Sequence, residues 1–242
     1  MTWTLALSPP ALGHSDVHVW RSRLDVSADE VRRCRALLTT EENERAGRFV
    51  FEEHRNRFIV ARGTMRDLLA TYVGRPAATL QFVYGAHGKP QLAVPATDTT
   101  FNVSHSGGSM LLAFARGRQV GVDIERSTRT VDWEAVAARF FEAREQAALS
   151  SLSREERRAA FFRCWTRKEA FMKATGQGLT YGLTSFAVTL AAGDRPELLW
   201  LAEGDPQCWG LADVAPDAEH IGAVCAEGRD WQPRYLVAPE AR

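Results

Sequence analysis

Hydrophobic and polar positions follow two different periods along this chain, which indicates a mixture of strands and helices. Residues 17–26, VHVWRSRLDV, have the pattern of an opening strand. Ser27 then precedes a helical pattern and Glu30 follows three residues later, as in the capping box that begins many helices. Residues 39–74 predict one or two further helices that end at Gly74.

A similar order of elements recurs in the second half of the chain. Residues 154–176 predict a long helix that ends at Gly176. In both halves the long helical region is followed by short apolar stretches that predict strands. These stretches are 79–84, 90–94 and 109–115 in the first half, and 184–190, 196–202, 208–214 and 220–226 in the second. Because the connections are short, antiparallel pairing is expected.

This repetition predicts an α+β fold of two similar α/β halves in a pseudo-twofold arrangement within one chain. Each half would consist of a long helix packed on a small, mainly antiparallel sheet. The halves would meet near residues 116–120, which gives residues 1–118 as the N-terminal half and residues 119–242 as the C-terminal half.

Two acidic residues interrupt a strand-like stretch at residues 119–126, QVGVDIER. Its β-branched residues alternate, so Asp123 and Glu125 share the opposite side of the predicted strand. One interpretation is a solvated strand face on which Arg126 is the partner of the acids. The other is a site for a hard cation, since Mg²⁺ prefers carboxylate oxygens and often binds substrate phosphates as well.

Composition narrows the classes of function. The chain has 242 residues, of which 45% are hydrophobic and 25% charged, and its net charge is zero, so we expect no electrostatic binding of nucleic acid by the chain as a whole. It contains no apolar run of the roughly 20 residues that a membrane span needs, and its start has no signal-peptide pattern. The four cysteines form no CxxC pair. We therefore expect a cytoplasmic protein that does not bind membranes.

A second candidate feature lies on the long helix of the second half. Trp165, Glu169 and Lys173 are spaced at i, i+4 and i+8, so they share one helical stripe. An ordinary amphipathic helix with a Glu–Lys pair explains this spacing. A lysine beside a carboxylate–metal cluster could instead contact a phosphate or protonate a leaving group.

A third candidate feature is FNVSHSGG, residues 101–108, in which Ser104, His105 and Ser106 are predicted to lie in a polar turn after an apolar start. Hydroxyls, an imidazole and glycines suit an anion pocket, although a glycine-rich hairpin loop is the simpler interpretation. A Ser/His hydrolase is disfavoured because the chain has no GxSxG motif.

Basic residues upstream offer further phosphate contacts. Lys89 lies in a Gly-Lys-Pro turn, and it is either a surface residue or a phosphate ligand. Five arginines in the first helical region form either a solvated helix face, balanced by neighbouring glutamates, or a phosphate clamp. They are Arg45, Arg48, Arg55, Arg57 and Arg62.

Taken together, the motifs resemble those of the Sfp-type 4′-phosphopantetheinyl transferases. The matching stretches are NVSHS, GVDIE and WTRKEAFMKATGQGL, in that order, preceded by ERAGRF and GKP. The resemblance runs from about residue 18 to residue 225. Sfp-type enzymes are pseudo-dimers in one chain, which fits the two predicted halves and implies a monomer.

The resemblance implies transfer of the phosphopantetheine arm of coenzyme A to a serine of an apo acyl or peptidyl carrier protein, with release of 3′,5′-ADP. Such carriers serve fatty-acid, polyketide or nonribosomal-peptide synthesis. Mg²⁺, with Mn²⁺ as a substitute, would be held by Asp123, Glu125 and Glu169, and Glu169 would also be the general base. Lys173 would contact the α-phosphate region. The implied coenzyme A contacts are Arg45, Arg48, Lys89, Ser104, His105 and Lys173.

The resemblance also implies a carrier-protein contact at Phe140 and Phe141, although a core-facing position explains one of the two aromatic residues at least as well. Two residues depart from the family pattern, because Glu42 and Tyr84 stand where some members carry basic residues for the 3′-phosphate of coenzyme A. Two alternatives remain: an inactive relative that binds carrier proteins, and another Mg²⁺-dependent phospho- or nucleotidyl transferase.

Overall fold

The first part of the chain folds in the predicted order of a strand, helices and further strands. The structure is a computed structural model that describes residues 1–94 and 97–238. Its first elements are β1 (Thr4–Leu5), β2 (Asp16–Arg23), α1 (Ala28–Ala36), α2 (Thr40–Gly47), α3 (Glu52–Val73), β3 (Gln81–Tyr84), β4 (Pro90–Val94), β5 (Thr99–Ser106) and β6 (Ser109–Arg116).

The second part repeats this order, and its last strand has no counterpart in the repeat. The elements are β7 (Val120–Arg126), α4 (Trp133–Phe140), α5 (Ala143–Ser151), α6 (Arg154–Thr175), β8 (Phe186–Val188), β9 (Leu198–Leu201), β10 (Trp209–Val214), β11 (His220–Glu227) and β12 (Gln232–Val237).

The two long helices, α3 and α6, have 22 residues each. Each ends at a glycine with a left-handed backbone, Gly74 at φ 62° and Gly176 at φ 74°, a conformation that is inexpensive without a Cβ atom. The predicted ends of both helices are therefore confirmed. Within the described ranges, no helix has the length and apolar character needed to cross a membrane.

The sheets repeat as well. The larger sheet has the order β1-β12-β2-β6-β5 and the smaller one has the order β10-β11-β7. In the first half β2 pairs with β6, and β6 pairs with β5. In the second half β7 pairs with β11, and β11 pairs with β10. All four pairings are antiparallel. The α+β fold of two similar halves is therefore confirmed. Strand β12, from the end of the chain, joins the first sheet in parallel with β2.

Strands β5 and β7 lie side by side and run in the same direction, but side chains connect them. The backbone N–H of Val122 donates to Oδ1 of Asn102 at 2.9 Å, and that of Arg126 donates to Oγ of Ser106 at 3.1 Å. Side chains of β5 thus accept hydrogen bonds from backbone N–H groups of β7. In a regular sheet, backbone carbonyls of the neighbouring strand would accept them. This seam joins the two sheets and lies next to the acids of β7.

Strand β7 is buried on both faces as far as Ile124. Val120, Val122 and Ile124 pack between the sheets, against residues of β2 and β6. On the other face Gly121 packs on α6, and Asp123 is 5% exposed. A solvated strand face is therefore wrong for Asp123.

The prediction that Ser104, His105 and Ser106 lie in a polar turn is wrong. Ser104, His105 and Ser106 belong to β5, and the turn consists of Gly107 and Gly108. The polar side chains misled the prediction because the partners of Asn102, Ser104 and Ser106 lie on β7, far along the chain.

Candidate active site

Two hydroxyl–carboxylate pairs cross the seam between β5 and β7. Oγ of Ser104 donates to Oδ1 of Asp123 at 2.8 Å, and Oγ of Ser106 donates to Oε2 of Glu125 at 2.9 Å. The two serines are two residues apart on β5, and the two acids are two residues apart on β7. Because alternate side chains of a strand share a face, both pairs lie on the same side of the seam. The serines thereby fix the orientation of both acids.

Gly121 allows α6 to approach β7 closely. A Cβ atom at this position would lie 2.1 Å from the carbonyl oxygen of Ala170 and 2.3 Å from the backbone nitrogen of Ala174, distances that real Cβ atoms do not reach. The close approach brings Lys173 of α6 to the acids of β7. Its Nζ atom lies 2.7 Å from Oδ1 of Asp123 and 2.9 Å from Oγ of Ser104.

Glu169, one turn before Lys173, is a third carboxylate whose charge interacts with those of Asp123 and Glu125. Its pKa is raised to about 7, mainly by burial and then by the negative charges of Asp123 and Glu125, while the positive charge of Lys173 offsets part of the increase. Arg129 contacts Glu125 at 3.2 Å from the solvent side. The arrangement concentrates negative charge where a cation would be stabilised.

The donor set fits a divalent cation chemically. Three carboxylates are hard oxygen ligands of the kind that Mg²⁺ prefers. Oδ2 of Asp123 is buried and has no hydrogen-bond partner among the described residues, so it is available to a ligand. The described residues nevertheless contain no preformed cluster of three or more metal-ligating side chains, and Lys173 takes Oδ1 of Asp123. The ligands are thus near one another without a finished coordination geometry.

Lys173, the partner of Asp123, also lines a cavity of about 600 Å³. The cavity lies among α2, α3, the β3–β4 hairpin, β5 and the end of α6, and its volume suits a small-molecule ligand. Of the predicted coenzyme A contacts, Arg45, Lys89, His105 and Lys173 line it. Arg48 is exposed at the end of α2 and is not among the lining residues.

Lys89 lies in the cavity wall with its ammonium group already engaged. Its Nζ atom donates to the carbonyl oxygens of Val120 at 3.0 Å and Ala174 at 3.2 Å, which ties the β3–β4 hairpin to β7 and α6. The carbonyl of Ala174 is near the C-terminal end of α6, where a cation is favourable. Burial lowers the pKa of Lys89 to about 8. One of its three N–H donors remains for a ligand.

His105 lines the cavity on the side of Lys173. Burial and the positive charge of Lys173 both lower its pKa. A neutral imidazole can donate one hydrogen bond and accept another, so His105 can contact a phosphate without adding charge.

The two candidate carrier contacts are in different environments. Phe141 is buried and its ring stacks on Phe161, with centroids 5.3 Å apart. Phe140, the last residue of α4, is half-buried, and the guanidinium of Arg139 lies 5.1 Å from its ring centroid. Of the two, Phe140 is therefore the one that a partner can reach.

Sequence reasoning missed three contributions to the site. Ser106 orients Glu125, and Arg62 lines the cavity, where it contacts both residues that depart from the family pattern, Glu42 and Tyr84. The only signal for Arg62 was its place among the five helical arginines. Gly121 had no recognised role, because the helix that packs on it lies some fifty residues away in sequence.

Comparisons with known proteins agree with these features. A family model described as the 4′-phosphopantetheinyl transferase superfamily matches residues 119–225, and one described as 4′-phosphopantetheinyl transferase, N-terminal, matches residues 23–116. The chain is 37% identical to the 4′-phosphopantetheinyl transferase HetI of a Nostoc species, over 97% of both chains. It is 29% identical to the 4′-phosphopantetheinyl transferase Sfp of Bacillus subtilis, over 85% of this chain and 89% of that protein.

A solved structure, the holo-[acyl-carrier-protein] synthase of Thermotoga maritima, matches with a TM-score of 0.37 and 23% identity. The match covers 46% of this chain and 63% of that one.

Proposed function

The chain belongs to the 4′-phosphopantetheinyl transferase superfamily, and we propose that it performs this transfer with a divalent cation held by Asp123, Glu125 and Glu169. The enzyme moves the phosphopantetheine arm of coenzyme A to a serine of an apo carrier protein. The observation that carries the cation proposal is the buried Oδ2 atom of Asp123, which has no hydrogen-bond partner among the described residues and lies beside Lys173 in the wall of a cavity of about 600 Å³.

The reaction is a substitution at phosphorus. The serine oxygen of the carrier forms a bond to the phosphorus that bears the pantetheine arm, and the bond from that phosphorus to the bridging oxygen of the pyrophosphate breaks. The leaving group is 3′,5′-ADP. A bound Mg²⁺, with Mn²⁺ as a substitute, would neutralise the charge that develops on the pyrophosphate oxygens.

Glu169 is our candidate for the base that accepts the serine proton. Its pKa, raised to about 7 by burial and by Asp123, is close to neutral pH, where a general base is most effective. The adjacent Asp123 and Glu125 are held by Ser104 and Ser106, which leaves Glu169 as the acid without such a hydroxyl partner in the described part of the chain.

Lys173 and His105 are the proposed pyrophosphate contacts. Lys173 lines the cavity while it is bonded to Asp123, so an incoming phosphate can recruit its ammonium group with a short side-chain movement. His105 lies on the same side of the cavity. Lys89 contributes at most one donor, Ser104 acts through Asp123 and Lys173, and Arg48 would need to move to reach a ligand.

We further infer that the halves divide the work. Residues 1–118 supply Arg45, Lys89 and His105 to the coenzyme A cavity, and residues 119–242 supply the acids and the half-buried Phe140 that we propose as a carrier contact. The repetition of the fold within one chain supports a monomer. A cytoplasmic location and the lack of binding to nucleic acid or membranes remain proposals from composition.

The test is intact-mass spectrometry of an apo carrier protein incubated with the enzyme, coenzyme A and Mg²⁺. We expect the mass of one phosphopantetheine arm to be added, no addition in EDTA, and recovery with Mn²⁺. Carrier binding without a mass gain would identify an inactive relative. A different added group would identify another phosphotransferase. Full transfer in EDTA would contradict the cation proposal alone.

A further inference from the structure

We propose that His220, oriented by Asp217, is a positioning residue for the cation site. It fixes the strand end that carries Ser106 and, through Ser106, the carboxylate of Glu125. The inference rests on the proposed cation site. It assigns a role to a histidine of β11 that neither the sequence motifs nor the comparisons identify.

His220 connects three strands at one end of the seam between β5 and β7. It is the first residue of β11 and lies opposite Arg126, the last residue of β7. It is buried, and its Nε2 atom lies 3.2 Å from the carbonyl oxygen of Ser106, the last residue of β5. The imidazole therefore reaches past the end of β7 and joins β11 to β5. This contact lies at the end of the seam that carries Glu125.

Asp217 orients the imidazole of His220. Its Oδ1 atom lies 2.8 Å from Nδ1 of His220 and accepts from the backbone N–H of Glu219 at 2.9 Å. Burial alone would raise the pKa of Asp217, but hydrogen bonds from His220 and from the backbone outweigh it and lower this pKa, so the carboxylate is ionised. A carbonyl and a carboxylate only accept hydrogen bonds, so the ring makes both contacts with a proton on each nitrogen.

The loop that carries Asp217 is itself held by the first half of the chain. Nε1 of Trp3 donates to the carbonyl oxygen of Ala215 at 3.0 Å, and the guanidinium of Arg21 donates to that of Pro216. Arg21 also lies over the ring of Trp3, with its Cζ 4.8 Å from the ring centroid. Asp217 thus belongs to a fixed loop, as the precise orientation of a second side chain requires.

Ser106 connects His220 to the proposed cation ligand. Its Oγ donates to Oε2 of Glu125 at 2.9 Å and accepts from the backbone N–H of Arg126 at 3.1 Å. Gly107 follows with a left-handed backbone, φ 57°, and a glycine restrains the chain beside it little. A hydrogen bond at the carbonyl of Ser106 therefore limits the freedom of its hydroxyl and of Glu125.

The experiment measures Mn²⁺ affinity by electron paramagnetic resonance in the presence of coenzyme A. His220→Asn can keep the bond to Asp217 but loses the bond to Ser106. We expect Mn²⁺ affinity to fall about tenfold, the lower end of the effect of partners that orient metal ligands. His220→Gln places an amide N–H near the position of Nε2 and should recover most of the affinity. A role in packing alone would make both variants equally defective.

Two further measurements separate positioning from a general defect. Excess Mn²⁺ should restore transfer in His220→Asn, because the variant lowers the occupancy of the site and leaves its ligands in place. In a Ser106→Ala background, His220→Asn should cause little further loss of Mn²⁺ affinity, because His220 acts through the hydroxyl of Ser106.

Asp217→Asn tests the inference at a more exposed position, should His220→Asn fail to fold. The amide oxygen can still accept from Glu219, but the charge opposite His220 is lost, so Mn²⁺ affinity should fall partly. The matched control is Asp205→Asn. Asp205 accepts from the backbone N–H of Gln207 at 2.8 Å in a turn of the same kind, with no histidine among its partners in the described part of the chain. This variant should keep the wild-type affinity.

The results distinguish this inference from the proposed function. A wild-type protein that binds no Mn²⁺ would refute the cation site itself, and the role of His220 with it. If the wild-type protein binds Mn²⁺, a folded His220→Asn or Asp217→Asn variant with wild-type affinity would refute only the positioning role. Equal losses in His220→Asn and His220→Gln would also refute it, because packing would then explain both.

Discussion

Lys173 and Asp123 form an ion pair, with Nζ 2.7 Å from Oδ1, at the place where the acids of β7 meet α6. The carboxylate therefore has an internal ammonium partner in the absence of substrate. A divalent cation bound through the free Oδ2 of Asp123 must compete with the positive charge of Lys173 for the same carboxylate, unless a phosphate gives Lys173 another partner. Binding of the cation and of coenzyme A is then mutually favourable, as linkage requires.

Lys173→Gln tests this competition. In the absence of coenzyme A, the variant should bind Mn²⁺ roughly tenfold more tightly than the wild-type protein. The reason is that a positive charge, which repels the cation, has been removed from beside the carboxylate ligands. The quantity to measure is free Mn²⁺, by electron paramagnetic resonance. Lys173→Arg keeps the charge and should resemble the wild-type protein. Equal Mn²⁺ affinity in the Gln variant would show that Lys173 does not compete.

Gly121→Ala tests the close approach of α6 to β7. The added methyl group overlaps the backbone of Ala170 and Ala174, so the helix must shift, and we expect a loss of about 1–3 kcal/mol in the free energy of unfolding together with slower transfer. Gly47→Ala, at the end of α2, meets no heavy atom of the described residues within 4 Å and serves as the control. Urea denaturation measures both. Similar stability in the two variants would mean that α6 does not require Gly121.

His18→Gln tests the dependence of stability on pH. His18 is fully buried, and burial lowers its pKa from 6.5 to about 4. Below pH 6.5 His18 is protonated in the unfolded chain, but in the folded protein it stays neutral until about pH 4. The free energy of unfolding therefore decreases as the pH falls through this range. From pH 7.5 to pH 5 the loss due to this group is about 2 kcal/mol.

The measurement is the free energy of unfolding in urea at several pH values for the wild-type protein and the variant. Their difference cancels the other titrating groups, and it should change by the stated amount. The exposed His14 provides a matched variant, His14→Gln, in which a histidine is replaced outside the core. A constant difference between the wild-type protein and His18→Gln would show that His18 does not titrate in this way.

Phe140→Asp tests the proposed carrier contact. A charge on an apolar contact costs desolvation, so the KM for the carrier protein should rise while coenzyme A affinity stays the same. Phe141→Asp should instead unfold the protein, since Phe141 is buried against Phe161. Thermal melts must precede the kinetics. A normally folded Phe140→Asp protein with an unchanged KM would place the carrier elsewhere.

Much of the fold follows from local patterns in the sequence. The alternation in β7 predicted the shared side of Asp123 and Glu125, and Ser27 caps α1 as its spacing with Glu30 indicated. Gly74 and Gly176 predicted where both long helices end. These features depend on neighbours in sequence, which is why the sequence reveals them.

The remaining features depend on partners far along the chain. The pattern at Ser104 and Ser106 predicts a turn, whereas both residues belong to β5 and their hydroxyls bind acids of β7. The prediction for Lys89, a surface residue or a phosphate ligand, does not include its bonds to the backbone carbonyls that α6 and β7 bring together. No local pattern shows which charged side chains form contacts with residues far along the chain. The parallel pairing of β12 with β2 also joins distant parts of the chain, so no local pattern predicts it.

The most direct test of the cation site is the affinity for Mn²⁺ in the presence of coenzyme A, measured for the wild-type protein and Asp123→Asn. Asparagine has nearly the shape of aspartate, so the thermal melt should remain close to that of the wild-type protein. We expect one ion per wild-type chain, and in Asp123→Asn an affinity reduced by about tenfold or more together with the loss of transfer. Wild-type Mn²⁺ affinity and wild-type transfer in a folded Asp123→Asn protein would contradict the assignment of these carboxylates to the cation.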